Sequence, residues 1–576
     1  YGLLDERVVS LRPDRSDTVL YAALEMIRRV LGGMLAPDPG RLAALLEEWL
    51  RFYGPLRTGR VAAMLGVDGD RLRRALALLE EKKVVVRGLL TEGASQEEVC
   101  DRRNLEILLR RASRRRGQAI RPLDPGLLPR FLAAYQGLVG NLGGPKGGAA
   151  AAVGSVSGSE DNALRGCLEQ LMGFPAYAEA WEEEILPARV PGYDPRDLDE
   201  LMRESDLVWF GCGRGRISFC FREDVDLFRE GGGLSDGPGN RDTGTGVPGC
   251  GAGEGPPLEA LFPDPRGRYS FGDLQEHTGM PEAALAQRLW DLAWGGLVTS
   301  DRFETVRWGI EGGFGAPAAR AGAPRRPAGS RFSAPRRADR WRSRHPGAWY
   351  VLRGGAVCAS TGPRHAGSPG RGTLDPVERD DLDRERARRL LERYGVLFRE
   401  LTVQECPSLG WGRLFRALRL MELSGEVVGG RFFSGIPGMQ FASHRALRML
   451  REPLPGGMFW MGAADPASLC GVGTGDLALP RRVPGTHLVF QDGCPVLVSR
   501  RRGEELEIRV EPGDPLAGSC LALFGELTGR KVRPLRAVRV LRINGEPATE
   551  SPYAAVLQEL GFTKGYRRLI MRGSYR

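Results

Sequence analysis

The sequence contains no G-x-x-x-x-G-K-[ST], so it offers no phosphate loop for a nucleoside triphosphate. "LLDERVV" near the start looks like a Walker B acid, but with no phosphate loop before it the likeness is a coincidence. H-E-x-x-H, G-x-S-x-G and H-x-E with P-C-x-x-C are missing as well, which removes zincin, α/β-hydrolase and zinc-deaminase chemistry. Histidine is scarce: His277, His345, His365, His444 and His487 stand at no ligand spacing, so no metal ligand and no catalytic residue is assigned. The ten cysteines (Cys100, Cys167, Cys212, Cys220, Cys250, Cys358, Cys406, Cys470, Cys494 and Cys520) include no C-x-x-C pair. Zinc-ribbon and thioredoxin readings fail there, and free, buried thiols in a reducing cytoplasm are expected. No apolar run approaches the roughly 20 residues of a membrane helix, and no signal peptide is visible.

What is present is a chain of 576 residues, enough for about four domains, whose first residue, Tyr1, makes it read as a fragment or a processed product. Its formal charge of +10 favours a polyanionic partner, although Arg, Gly, Ala and Pro abundance also fits a GC-rich genome. Three segments, 140–160, 231–257 and 312–340, are so rich in Gly, Pro and Ser that they read as flexible linkers. The third also carries many arginines, as a solvated spacer or a phosphate-binding arm.

Between the linkers one pattern recurs. "GPLRTGRVAAMLGVDGDRLRRALALLEEKKVVVRG" (54–88), "SFGDLQEHTGMPEAALAQRLWDLAWGGLVTSD" (270–301) and "GVLFRELTVQECPSLGWGRLFRALRLMELSGEVVGG" (395–430) each run short helix, turn, longer helix, strand. That is the order of a winged helix, whose second helix can enter a major groove. In the first copy Leu72, Ala75, Leu76 and Leu79 share a face, with Arg71, Arg73 and Arg74 outside it, and Gly66 is placed to stop the shorter helix. In the third, Arg413, Arg416 and Arg419 form a ridge beside Leu414, Leu418 and Met421. Each basic face reads equally as solvated surface or as a DNA contact. The middle copy has Arg288 alone, with Trp290 and Trp294, and reads as a packing module.

The runs "PLDPGLLPRFLAAYQGL", "ILPARVPGYDPRDLDELMRESDLVWFG", "FGDLQEHTGMPEAALAQRLWDLAWGGLVTSDRF", "ARRLLERYGVLFREL", "GGRFFSGIPGMQFA", "ADPASLCG" and "HLVFQDGCPVLV" follow in the order found in the Lhr (large helicase-related) superfamily 2 DNA helicases. From about residue 40 onward the chain resembles their carboxy-terminal, non-motor part. The resemblance implies an α+β, multidomain chain of tandem winged helices with an intervening β-rich module. The expected divisions are an N-terminal segment 1–38, winged helix 1 at 39–99, the β-rich module at 100–230, a linker at 231–257, winged helix 2 at 258–311, an Arg/Pro/Gly linker at 312–345, winged helix 3 at 346–455 and an α/β module at 456–576. It also implies a bacterial 3'-to-5' translocating DNA helicase of DNA repair. ATP and Mg would come only with motor domains, in cis or in trans; this chain itself needs no cofactor.

The partners implied are single-stranded or 3'-tailed DNA, motor domains and a second copy, in the cytoplasm at the nucleoid and not at a membrane. The family carries an aromatic before a Gln suited to base stacking, which falls here on Tyr135 before Gln136; the other reading of Tyr135 is a core tyrosine. Trp181 and Trp209 read as core. Winged-helix arrays are also similar to winged-helix DNA glycosylases acting on uracil or damaged bases, but Gln440-Phe441-Ala442 lacks the third residue of Gln-x-Asp, and Asp492 reads as a hairpin former. A winged-helix transcription regulator is the third reading.

Overall fold

A computed structural model describes residues 8–11, 19–91, 93–118, 121–142, 160–229, 256–314, 345–352, 375–474 and 478–573. Most of the three expected linkers, including the arginine-rich one, therefore lies outside the described residues. The chain divides into two compact units, 1–119 together with 420–429, and 120–419 together with 430–576. The fold is α+β and multidomain, and winged helices recur along it.

In the first unit, Asp38 caps the helix Pro39–Trp49 through the Gly40 amide. The strand Leu56–Arg57, the helices Thr58–Leu65 and Gly69–Glu81, and the strands Val85–Gly88 and Glu98–Asp101 follow. Gly66 stops the shorter helix with a left-handed φ of 61°. Leu72, Ala75, Leu76 and Leu79 are buried as their spacing requires, each leucine contributing about 1.5–3 kcal/mol. The last strand lies in the middle of the three-stranded sheet.

The second unit repeats this plan, and one repeat was not expected. Residues 160–221 supply the helix Glu160–Leu171, the strand Ala176–Tyr177, helical turns from Ala178 to Arg189, the helix Pro195–Glu204 and a hairpin, Leu207–Gly211 with Arg216–Phe221. Its last strand again lies centrally. The described residues of the 100–230 segment are thus mainly helical with short strands, a correction to the β-rich module. Residues 258–351 form another repeat, and its third strand, Ala348–Val351, pairs Val298 with Val351 and Ala348 with Ser270. That strand completes winged helix 2, which corrects its boundary at 311 and the start of winged helix 3 at 346. These two repeats share one hydrophobic core that holds Trp181, Trp209, Trp290 and Trp294. The elements of the remaining repeat begin with the helix Pro376–Tyr394 and the strand Val396–Leu397 and continue through the helix Trp411–Leu423 to the strand Gln440–Ser443.

Beyond it, the strand Met458–Gly462 opens a six-stranded sheet whose hairpin, His487–Gln491 with Cys494–Arg500, turns at Asp492-Gly493, both residues having positive φ. Asp492 accepts the Gly457 amide at 2.9 Å, as a turn former does. A smaller three-stranded sheet, Ala537–Val540, Leu569–Arg572 and Thr563–Lys564, ends the fold.

A π-helical stretch, Trp181–Ile185, ties the second unit together through three consecutive glutamates. Glu182 receives Arg307 at 2.8 Å and the Tyr193 hydroxyl at 2.6 Å. Glu183 pairs with Arg530 and Arg533, and Glu184 lies 3.1 Å from His487. Burial pushes the Glu183 carboxyl up, against the pull of both arginines.

Candidate nucleic-acid interface

The helix Trp411–Leu423 buries Leu414, Ala417 and Leu418, and this fixes which way its arginines face. Arg413 and Arg416 are exposed and Arg419 is half-exposed, so the expected ridge exists. Arg416 leans on Asp380 at 3.4 Å with 76% of its side chain exposed, a surface pair weak enough for a phosphate to displace. Phe415 is 37% exposed between Arg413 and Arg416 and packs against Trp411 and Phe441. A second ridge was missed: Arg445, Arg448 and Arg451 stand exposed on the helix His444–Arg451, opposite buried Ala446, Leu447 and Leu450. The same i, i+3, i+6 spacing that singled out Arg413, Arg416 and Arg419 would have found it.

The first-unit arginines separate into two kinds. Arg73 and Arg74 are exposed; Arg73 pairs with Asp70 one turn back, and Arg74 donates to the Asp70 carbonyl at 3.4 Å. Arg71, expected to contact DNA, instead donates at 2.6 Å to both the Met34 and Gly33 carbonyls. It caps the end of the helix Ile27–Leu35, where the free carbonyls carry the negative end of the dipole.

Tyr135 is corrected more sharply, because its ring is 2% exposed and not open to a base. Its hydroxyl donates to the Leu391 carbonyl at 3.2 Å, and the Arg445 guanidinium lies 4.9 Å over the ring. A β-carbon on Gly395 would come within 2.7 Å of that ring, and Gly395 also holds a φ of 69°, so glycine serves both the turn and the close approach. Gln136 is equally engaged: its amide donates to the Arg393 carbonyl at 3.0 Å and accepts from Arg189 at 2.7 Å. Tyr135 and Gln136 are therefore the joint between the helices Leu128–Tyr135 and Pro376–Tyr394.

Arg189 continues that joint into a fully buried bidentate pair with Asp465, both bonds 2.7 Å long. Burial alone would lower the Arg189 pKa, but Asp465 more than offsets it. Arg482 fastens the loop around Asp465 by donating to the Ala464, Asp465 and Ser468 carbonyls.

Of the two residues weighed for glycosylase chemistry, Asp492 braces its turn and Gln440 has no free amide. Gln440 is wholly buried, its oxygen accepting the Phe432 and Phe433 amides and its nitrogen donating to the Phe433 carbonyl. Among the described residues no three His, Cys, Asp or Glu side chains meet as a metal site. No helix of the described residues is long and apolar enough to cross a membrane.

Burial pushes the Cys100 and Cys167 thiols up to about 11 and Cys520 to about 12, while Cys494 is exposed. Native alkylation with N-ethylmaleimide, read by peptide mass spectrometry, is expected to modify Cys494 and to spare Cys100, Cys167 and Cys520 until denaturant is added. Equal native labelling of Cys167 and Cys494 would contradict the packing described.

Models of the "Large helicase-related protein, winged-helix domain" match residues 125–222 and 376–457. This is an Lhr-type region. The first match falls on the repeat that the sequence did not disclose. A relative from Mycolicibacterium smegmatis, named "Lhr helicase/ probable uracil glycosylase", is 27% identical over 93% of this chain and 34% of its own length. Another from Escherichia coli, "Lhr helicase/uracil glycosylase", is 25% identical over 77% of this chain and 28% of its own length. The Lhr-type chain thus spans about a third of these relatives. A solved structure, Streptomyces sahachiroi DNA glycosylase AlkZ, aligns with 71% of this chain and 96% of its own at 14% identity; its TM-score of 0.38 is too low to bear on function.

Proposed function

We propose that this Lhr-type chain is the DNA-binding, non-motor portion of an Lhr-like ATP-dependent DNA helicase that acts in repair in the cytoplasm. ATP and Mg would enter only with motor domains supplied in cis or in trans. The observation that carries the reading is the arginine ridge of exposed Arg413 and Arg416 and half-exposed Arg419 on the second long helix of a winged helix, the element that docks on DNA in that fold. Single-stranded or 3'-tailed DNA is the partner this surface suits, because phosphate contacts need no sequence preference and so allow tracking.

A second reading, uracil excision, is favoured by one observation: both relatives carry uracil glycosylase in their names. Against it stands the Gln440 amide, which is spent on the backbone. The test offers the chain 3'-tailed duplexes with normal bases or one uracil, without ATP, and measures binding and alkali-revealed strand cleavage. The expected result is salt-sensitive binding to both with no cleavage. Cleavage confined to the uracil strand would replace this reading with the glycosylase one.

A further inference from the structure

The most exposed aromatic among the described residues is Tyr566, with 92% of its surface open, at the tip of the hairpin joining Thr563–Lys564 to Leu569–Arg572. The tip has a defined shape. Thr563 pairs with Ile570 and Lys564 with Leu569, and the Gly565 amide donates to the Arg568 carbonyl at 2.8 Å, closing the turn. The hairpin is anchored on its other side, where Leu569 is buried and Leu569–Arg572 pairs with Ala537–Val540. Tyr566 is thus held away from the core by a braced hairpin, and the Arg567 guanidinium lies 5.5 Å over its ring.

The charged side chains of the hairpin itself have one sign. Lys564, Arg567 and Arg568 are exposed, and no Asp or Glu occurs in the sequence from Gly561 onward. Arg539, exposed on the neighbouring strand, is in register with Ile570, and Arg572 is exposed at the far end of the hairpin. A water-exposed aromatic costs free energy that a ligand with a flat apolar face recovers, and flanking cations select a ligand with anionic groups beside that face. An unpaired nucleotide has both: the base as the face and the phosphates on either side.

We propose that this hairpin tip is a second nucleic-acid contact, where Tyr566 stacks on an unpaired base while Lys564, Arg567 and Arg568 hold the adjoining phosphates. The inference rests on the DNA-binding reading above and adds to it a place where a single strand is distinguished from duplex. A paired base presents its face to its neighbours in the stack, so only single-stranded or frayed DNA can engage the ring.

The test uses the full chain, fluorescein-labelled oligo(dT) and an abasic oligomer of equal length, read by anisotropy across a salt series. Tyr566→Ala is expected to weaken oligo(dT) binding by about 5- to 150-fold, the range of a lost base stack, with the salt slope unchanged. Tyr566→Phe should bind within about twofold of the wild type, and the abasic oligomer should be insensitive to either change. Replacing Lys564, Arg567 and Arg568 together by Ala should flatten the salt slope by about 2, at about 0.7 per contact with a single strand. If the wild type binds oligo(dT) and Tyr566→Ala binds it equally well, the hairpin proposal is overturned and the DNA-binding reading stands. If the wild type binds no DNA at any salt, that reading itself fails. Loss of Tyr566→Ala capture on phosphatidylserine vesicles, with oligo(dT) binding intact, would overturn the proposal in favour of a membrane contact.

Discussion

Asp465→Ala is expected to lower the unfolding free energy of the unit that holds it by about 3–5 kcal/mol, the largest effect of any single substitution considered for this chain. The reason is the state left behind. Asp465 and Arg189 have side-chain exposures of 1% and 3%, and removing the carboxylate strands a guanidinium that water cannot reach. Arg189 would keep its bonds to Gln136 and the Ile185 carbonyl, neither of which carries a compensating charge. Removing both charges is a different matter. Arg189→Met with Asp465→Leu should recover much of the loss, because no unpaired ion remains. Urea unfolding followed by tryptophan fluorescence measures both variants, and a loss below about 1 kcal/mol for Asp465→Ala would show that the pair does not hold the joint.

Replacing Arg413, Arg416 and Arg419 together by Ala should weaken binding to duplex by about 10- to 100-fold at moderate salt. The slope of log affinity against log salt should flatten by about 2.7, at about 0.9 per phosphate contact. All three arginines face away from the buried stripe of their helix, so the fold should survive the change. Arg71→Ala supplies the contrast: it removes a cap on the helix Ile27–Leu35 and should cost about 1.5–3 kcal/mol of stability in all, with the salt slope unmoved. If Arg71→Ala flattens the slope and the triple variant does not, the two assignments are reversed.

These two arginine sets show what sequence carries and where it stops. Helical spacing placed Arg413, Arg416 and Arg419 on an open face because the apolar stripe beside them is continuous. The same spacing put Arg71 outside the stripe of its own helix, yet its partners are carbonyls 37 and 38 residues away. Tyr135 misled for a similar reason: the packing that buries it comes from Leu391, Gly395 and Arg445, far along the chain.

The winged helix at 160–221 escaped notice because its middle helix buries the polar side chains that would ordinarily mark an outer face. Trp181, Ile185 and Leu186 are buried, and so are Glu182 and Glu183, whose partners Arg307, Arg530 and Arg533 lie more than a hundred residues on. Three glutamates in a row look like a solvated face, and only the fold shows Glu182 and Glu183 matched to arginines and Glu184 set against His487. The strand Ala348–Val351 was misassigned because more than 40 residues separate it from the strand it pairs with, Val298–Ser300. By contrast Gly66 and the Asp492-Gly493 turn were legible, since backbone conformations of that kind admit few other residues.

DNA binding through the arginines of this Lhr-type chain is read by titrating the unmodified chain on a 3'-tailed duplex across a salt series. A slope of log affinity against log salt of about −2.7 or steeper is expected, the value three duplex phosphate contacts would give. Absent binding, or a slope near zero, would contradict it.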